Sequence, residues 1–293
     1  MSDKIVLKSF WDSLYVHPIC KDFKEYFANI LSEILPKYKQ VYIYSVFGNE
    51  EPAINDKIIN TDTLYVQYSG EPHHRNPELF HINLLASLES TKPFIIPHTL
   101  GGQHLYVHNL WEILKQPRLY EVDKNNKTRF CSFIVSNGQP QERIRFFNLL
   151  SSYKRIDSCG RFSNNIGFLP PETDTPEYYK FMSQYKYTIC FENSQVDYYF
   201  SEKLINAYIS KTIPIYWGCP QVPDFINTKA IIYIPTATDE EFQKAYQRII
   251  ELENDPNKYK EVYEQPLFIG NVLPHQLDIN YLKYRVSSCK NLK

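Results

Sequence analysis

The residues best placed to do chemistry lie in one stretch, 185–218. An apolar run, Tyr185-Lys186-Tyr187-Thr188-Ile189-Cys190-Phe191, ends in the polar Glu192-Asn193-Ser194. Gln195-Val196-Asp197-Tyr198-Tyr199-Phe200 follows, then Ser201-Glu202-Lys203-Leu204 and, further on, Ile213-Pro214-Ile215-Tyr216-Trp217-Gly218. This order predicts a buried strand, a polar loop at its carboxyl end, a helix opening at Ser201 and a second strand. Ser201 has the side chain of a good N-cap, and Glu202 suits the positive end of the helix dipole. Lys203 would stand where free backbone N–H groups already favour an anion. The loop-to-helix junction is therefore expected to hold a diphosphate.

The elements around this stretch alternate strand and helix. Strands are expected at 4–10, 40–47, 63–68 and around 93–96. Apolar residues at steps of three and one predict a helix over 21–35, closed by Pro36. From Arg129 the alternation is cleaner, with strands at 129–136, 155–159, 187–191, 213–217 and 230–234. Helices are expected between them at 141–152, 176–183 and 202–210, with another at 239–253. Near-continuous apolar strands separated by helices argue for a parallel sheet covered on both faces. The fold class expected is α/β, with two Rossmann-like domains facing each other across a cleft. An N-terminal domain would span 1–125 and a second 126–270, and 271–293 would form a C-terminal segment able to return to the first. The charged stretch 121–128 (EVDKNNKT) reads as the linker. Ligands of such sheets bind at the carboxyl ends of the strands.

Composition removes other classes. The chain has 293 residues, 43% hydrophobic and 15% aromatic, enough apolar matter for substantial cores. A net charge of −1 gives no basic excess for nucleic acid or a membrane surface. No apolar stretch reaches membrane-span length, and Met1-Ser2-Asp3-Lys4 does not begin a signal peptide. Cys20, Cys131, Cys159, Cys190, Cys219 and Cys289 show no C-x-x-C pair, which predicts reduced thiols and a cytoplasmic setting. The dinucleotide fingerprint G-x-G-x-x-G and the Gly-Lys-Ser/Thr phosphate loop are both absent. With nine glycines in all, a phosphate would be held by cationic side chains and a helix N-terminus.

The run Y-K-Y-T-I-C-F-E-N-S, followed by a tyrosine and S-E-K-L and then I-P-I-Y-W-G, closely resembles the α1,3-fucosyltransferase family, glycosyltransferase family ten. Weaker resemblance covers 133–167, with Ser136-Asn137, Arg143, Phe146-Phe147 and Ile156-Asp157-Ser158-Cys159-Gly160-Arg161. The resemblance implies the two-domain GT-B arrangement and transfer of fucose from GDP-fucose, with inversion, to a glycan hydroxyl. It implies Arg143 and Lys203 on the donor diphosphate, and Asn193, Tyr199 and Glu202 on ribose, phosphate and fucose hydroxyls. Tyr68-Ser69-Gly70-Glu71 matches the family's strand end and makes Glu71 the general base. On residue type alone, Arg143 reads sooner as an exposed helix residue beside Arg145, and only its spacing to Ser136 and Phe146 favours the functional reading; Gly70-Glu71-Pro72 reads also as a common turn.

Six of the eight histidines, His73, His74, His81, His98, His104 and His108, fall within thirty-six residues. They show no clear helical pair with a third ligand, so no metal site is expected. His73 and His74 are candidates for the acceptor side, with loop histidines of no common role as the alternative. No Asp-x-Asp motif is present, which with the resemblance predicts metal-free diphosphate stabilisation and no cofactor. The partners expected are a nucleotide sugar and a glycan acceptor. Two alternatives stay open: a transferase of a different GDP-sugar, and a non-catalytic nucleotide- or glycan-binding protein on the same scaffold. The chain ends at Lys293 without the heptad repeats or basic tail of some bacterial members, or the anchor and C-terminal cysteine pair of animal ones. That pattern suggests a compact bacterial or viral type. Acceptor, linkage and oligomeric state are not encoded in any motif.

Overall fold

The computed structural model describes residues 2–16, 19–86 and 92–291. Among these residues, ten strands form two five-stranded sheets, parallel throughout. The chain divides into two compact units. One gathers the residues up to Asn109, the short segment Val196–Ser201 and the residues from Leu273 on. The other comprises Leu110–Gln195 and Glu202–Val272.

The first sheet contains β1 (Ile5–Lys8), β2 (Gln40–Tyr44), β3 (Thr63–Ser69), β4 (Ile82–Leu85) and β5 (Ile95–Pro97), in the order of the chain. Six of the seven residues of β3 are buried, the mark of a strand covered on both faces. The helix Ile19–Ile30 places Phe23, Tyr26, Phe27 and Ile30 on this sheet at steps of three and one. Leu282 and Val286 of the C-terminal helix Ile279–Ser287 join the same core. The helix expected over 21–35 thus stops at Ile30, although Leu31 and Ile34 remain buried in turns and Leu35 in a short 3-10 helix, Leu35–Lys37.

Among the elements of this unit with no counterpart in the expected pattern, a strand and a helix bear on the site. In β4 the apolar run is broken by Asn83, which is fully buried and accepts a hydrogen bond from Gln67 Nε2 at 2.6 Å. The helix Leu100–Val107 begins Leu-Gly-Gly, a poor helix signal. Thr99 caps it by accepting from the Gly102 N–H at 3.1 Å. Gly101 is required by close approach: a Cβ there would lie 2.5 Å from the Phe200 ring.

The second sheet contains β6 (Arg129–Phe133), β7 (Ile156–Ser158), β8 (Tyr185–Phe191), β9 (Ile213–Trp217) and β10 (Ile232–Tyr233), in the order β10-β9-β8-β6-β7. The helix Gln141–Ser151 buries Arg143, Phe146 and Leu150, and Asp239–Asn254 buries Phe242, Ala245, Ile249 and Leu252. Thr238 caps the latter on the Glu241 N–H, a T-x-x-E start. The helix Pro256–Tyr263, absent from the expected pattern, completes this core with Tyr259 and Tyr263.

The stretch 121–128 is not a free linker. Asp123 is buried there and accepts from Lys211 Nζ and Tyr263 Oη, each at 2.7 Å. Two charge-assisted bonds of this kind anchor the stretch to the second unit. All six cysteines are unpaired and five are buried. No helix among the described residues is long and apolar enough to cross a membrane.

Candidate functional site

In the second sheet, β6 is flanked by β7 on one side and β8 on the other, so the winding reverses there. A reversal opens a crevice at the carboxyl ends of the two strands concerned, the usual ligand position in such sheets. The residues just beyond β6 and β8 are Asn137 and Glu192-Asn193, and Arg143 draws them together. Its guanidinium donates to the carbonyls of Asn137 (3.1 Å), Phe191 (3.1 Å) and Glu192 (2.8 Å), and to Asn193 Oδ1 at 2.9 Å. Arg143 is only 1% exposed. It is therefore not an exposed helix residue: the guanidinium clamps the strand-end loop and fixes the Asn193 amide. Arg145, two residues on, faces outward and pairs with exposed Asp239.

Glu192 is the residue that sequence reasoning did not single out. It is fully buried, and its Oε2 accepts from Lys203 Nζ at 2.9 Å. Tyr216 Oη lies 3.5 Å from its Oε1. A buried carboxylate needs such partners, since an uncompensated one costs several kcal/mol. Gly218 explains the end of the motif: a Cβ there would lie 2.4 Å from Glu192 Cγ, so only glycine leaves the carboxylate its room. The available signal was this pairing of a strand-end glutamate with a glycine one strand over.

The helix start differs from the expectation. The helix runs Lys203–Ile209, with Glu202 in the N-cap position making no side-chain cap bond. Ser201 is not the cap; it is buried with the Val196–Ser201 segment of the first unit. Glu202 thus lies outside the first turn, and its Oε1 is 4.0 Å from Lys203 Nζ. Lys203 keeps 25% side-chain exposure and is oriented by Glu192. Ser194 Oγ, beside Asn193, is buried with no hydrogen-bond partner among the described residues.

Glu71 follows β3 in the first unit and is half-buried. Ser69 Oγ organises the loop: it accepts from the Glu71 N–H (3.2 Å) and is within 2.6 Å of the His73 carbonyl, to which it donates. Arg75 latches the far side by donating to the carbonyls of Ser45 and Gly48. The side chain meeting Glu71 is Tyr199, whose Oη donates to Oε2 at 3.5 Å. Tyr199 is 2% exposed and belongs to the same unit as Glu71.

The six histidines stand in different surroundings. His73 and His74 are exposed, and His74 Nδ1 meets only the neighbouring Arg75 carbonyl, at 2.8 Å. His81 stacks on Tyr65, and its Nδ1 accepts the Tyr65 N–H. His98 is buried against Tyr26 Oη at 2.7 Å, and burial pushes its pKa down to about 4. His104 and His108 are one helical turn apart, with ring centres 4.7 Å apart, a helical pair that the spacing analysis did not credit.

Two five-stranded parallel α/β units, one with a reversed winding that frames a clamped polar loop, fit the GT-B fold. Residues 124–265 match the family described as glycosyltransferase family 10 (fucosyltransferase), C-terminal part, so this stretch of the chain is a domain of that family. Over 231 residues the chain is 33% identical to an α-(1,3)-fucosyltransferase of Helicobacter pylori, covering 75% of this chain and 46% of that protein. It is 26% identical over 266 residues to GDP-fucose protein O-fucosyltransferase 3 of Danio rerio, covering 85% and 53%. The chain thus spans about half the length of the curated relatives it matches. A crystal structure of an α1,3-fucosyltransferase superposes with a TM-score of 0.71 at 22% identity, covering 97% of this chain and 89% of that one. A structure of such an enzyme with GDP-fucose gives 0.69, also at 22% identity.

Proposed function

We propose that this protein is a metal-independent, inverting fucosyltransferase that moves fucose from GDP-fucose to a hydroxyl of a glycan. The observation that carries this reading is the assembly of Arg143, Glu192, Asn193 and Lys203 at the reversal of the second sheet, inside the segment that matches family 10. It offers fixed positive charge and an oriented amide where a nucleoside diphosphate would dock. Lys203 Nζ, held by Glu192, directs an ammonium toward the leaving diphosphate, and Arg143 adds fixed charge behind it. Asn193, Glu202 and Tyr199 would meet ribose, phosphate and sugar hydroxyls.

Glu71 is the general base. It takes the acceptor hydroxyl proton as that oxygen bonds to the anomeric carbon, while the carbon–phosphate-oxygen bond breaks on the opposite face and GDP leaves with the electron pair. A positioned carboxylate base contributes roughly 10²–10⁴-fold. Preorganised cations facing the departing diphosphate supply the electrostatic part of the acceleration. No metal is needed in this scheme. The six unpaired thiols agree with a reducing, cytoplasmic setting.

The test is transfer itself. Incubation with GDP-fucose and a glycan panel, in a chelator, should release GDP and yield a fucoside whose anomeric configuration, read by NMR, is opposite to the donor's. Retained configuration would overturn the single displacement, and turnover only with another GDP-sugar would overturn the donor. GDP binding with no turnover on any acceptor would support the non-catalytic alternative.

A further inference from the structure

The first unit contains a hollow of about 250 Å³. That is below the roughly 300–1,000 Å³ of ordinary ligand pockets and suits a single small ring. Its wall includes His98, Gln103, Tyr198, Asp278, Tyr281 and Arg285. Two of these are buried polar side chains with capacity to spare. Gln103 is 2% exposed; its Oε1 accepts from Tyr68 Oη at 2.5 Å, and its Nε2 has no partner among the described residues. His98, also 2% exposed, meets Tyr26 Oη at 2.7 Å through Nε2, and its Nδ1 likewise has no partner. Buried donors and acceptors are nearly always satisfied, so two left unmet in residues that wall one hollow point to a ligand that satisfies them.

The rest of the wall defines that ligand. Arg285 and Asp278 carry opposite charges and leave the hollow without net charge, which disfavours a phosphate or a carboxylate. Tyr198 and Tyr281 add aromatic rings, and Leu277 and Leu282 add apolar surface. Aromatic faces with an amide and a neutral imidazole form a surface for a hydroxyl-rich, uncharged ring. Tyr198 has φ +60°, in the left-handed region that a bulky residue rarely adopts. Its neighbour Tyr199 contacts Glu71, so one short segment both walls the hollow and touches the proposed base.

We propose that this hollow binds one neutral pyranose ring of the acceptor glycan, recognised by Gln103 and His98 on its hydroxyls. This assignment rests on the transferase reading for its acceptor role. The test uses the full chain without donor and follows saturation-transfer NMR with methyl glycosides of glucose, galactose and N-acetylglucosamine, against glucuronate and inorganic phosphate. At least one neutral glycoside should bind, and Gln103→Leu should weaken it at least tenfold with GDP affinity unchanged. In turnover, the same variant should raise the acceptor KM while leaving kcat within about twofold. Tyr281→Ala, at the 37% exposed rim, gives a second variant if the buried substitution fails to fold. Binding of glucuronate or phosphate alone, or neutral-sugar binding indifferent to both variants, would overturn the proposal. Transfer with unchanged acceptor KM in both variants would remove the pocket and leave the transferase. Variant-sensitive sugar binding without any transfer would keep the sugar site and remove its acceptor role.

Discussion

The two sheets have five parallel strands each, yet their strand orders differ, β1-β2-β3-β4-β5 against β10-β9-β8-β6-β7. The second reverses its winding, so its strand ends splay and open a crevice. The polar groups there satisfy one another: Arg143 on three carbonyls and Asn193, Glu192 on Lys203. The first sheet never reverses. Its functional groups stand on the loop after β3 and on two segments from elsewhere in the chain, Val196–Ser201 and the residues from Leu273. Among the described residues, that region leaves Gln103 Nε2 and His98 Nδ1 without a hydrogen-bond partner. On the proposed reading, one unit holds a ligand of fixed charge and the other is completed by a hydroxyl-rich one.

The largest effect should come from the base proposed in the first unit. Glu71→Gln is expected to lower kcat by roughly 10²–10⁴-fold, measured by GDP release at saturating acceptor. Retention of more than a tenth of the rate would move the base elsewhere. Next is the clamp. Arg143→Leu removes the donor from two buried carbonyls, the carbonyl of exposed Asn137 and an amide oxygen, and should destabilise the second unit by about 3–5 kcal/mol. Urea unfolding reads this directly, and a loss under 1 kcal/mol would show that the clamp is dispensable.

Of the two units, the second was the more legible in the amino-acid sequence. Its strands are nearly continuous apolar runs, and its motif is dense enough to identify. What could not be read there was partnership. A glutamate ending a strand looks solvated until Gly218 is seen to vacate the space around it, and Arg143 looks like Arg145 until one proves buried. In the first unit, β4 hid behind the buried amide of Asn83, and the helix after Thr99 hid behind two glycines that serve close packing. Tyr199 was read with the donor motif because it is adjacent in sequence. Its hydroxyl also meets Glu71, a partner that adjacency does not reveal, and His98 is buried where His73 and His74 are exposed.

The buried His98 makes the comparison pH-dependent. Its folded pKa of about 4 lies below the ordinary histidine value, so between about pH 4 and 6.5 the unfolded chain binds the extra proton. Stability from this group is complete above about pH 6.5 and declines as pH falls to 4, by about 3 kcal/mol. His98→Gln should flatten that part of the profile relative to wild type in urea melts at pH 7 and 4.5. Equal slopes would place the acid sensitivity elsewhere. The smallest effect is expected at Arg145→Ala, whose exposed pair with Asp239 should be worth less than about 0.5 kcal/mol.

The division of labour between the units is tested most directly by titrating GDP calorimetrically into wild type, Lys203→Ala and Glu71→Gln. Loss of one charge-assisted contact, about 1.5–3 kcal/mol, should weaken GDP binding to Lys203→Ala by roughly ten- to a hundredfold, and Glu71→Gln should bind it as wild type does. The opposite pattern, GDP affinity indifferent to Lys203 and lost with Glu71, would contradict the account.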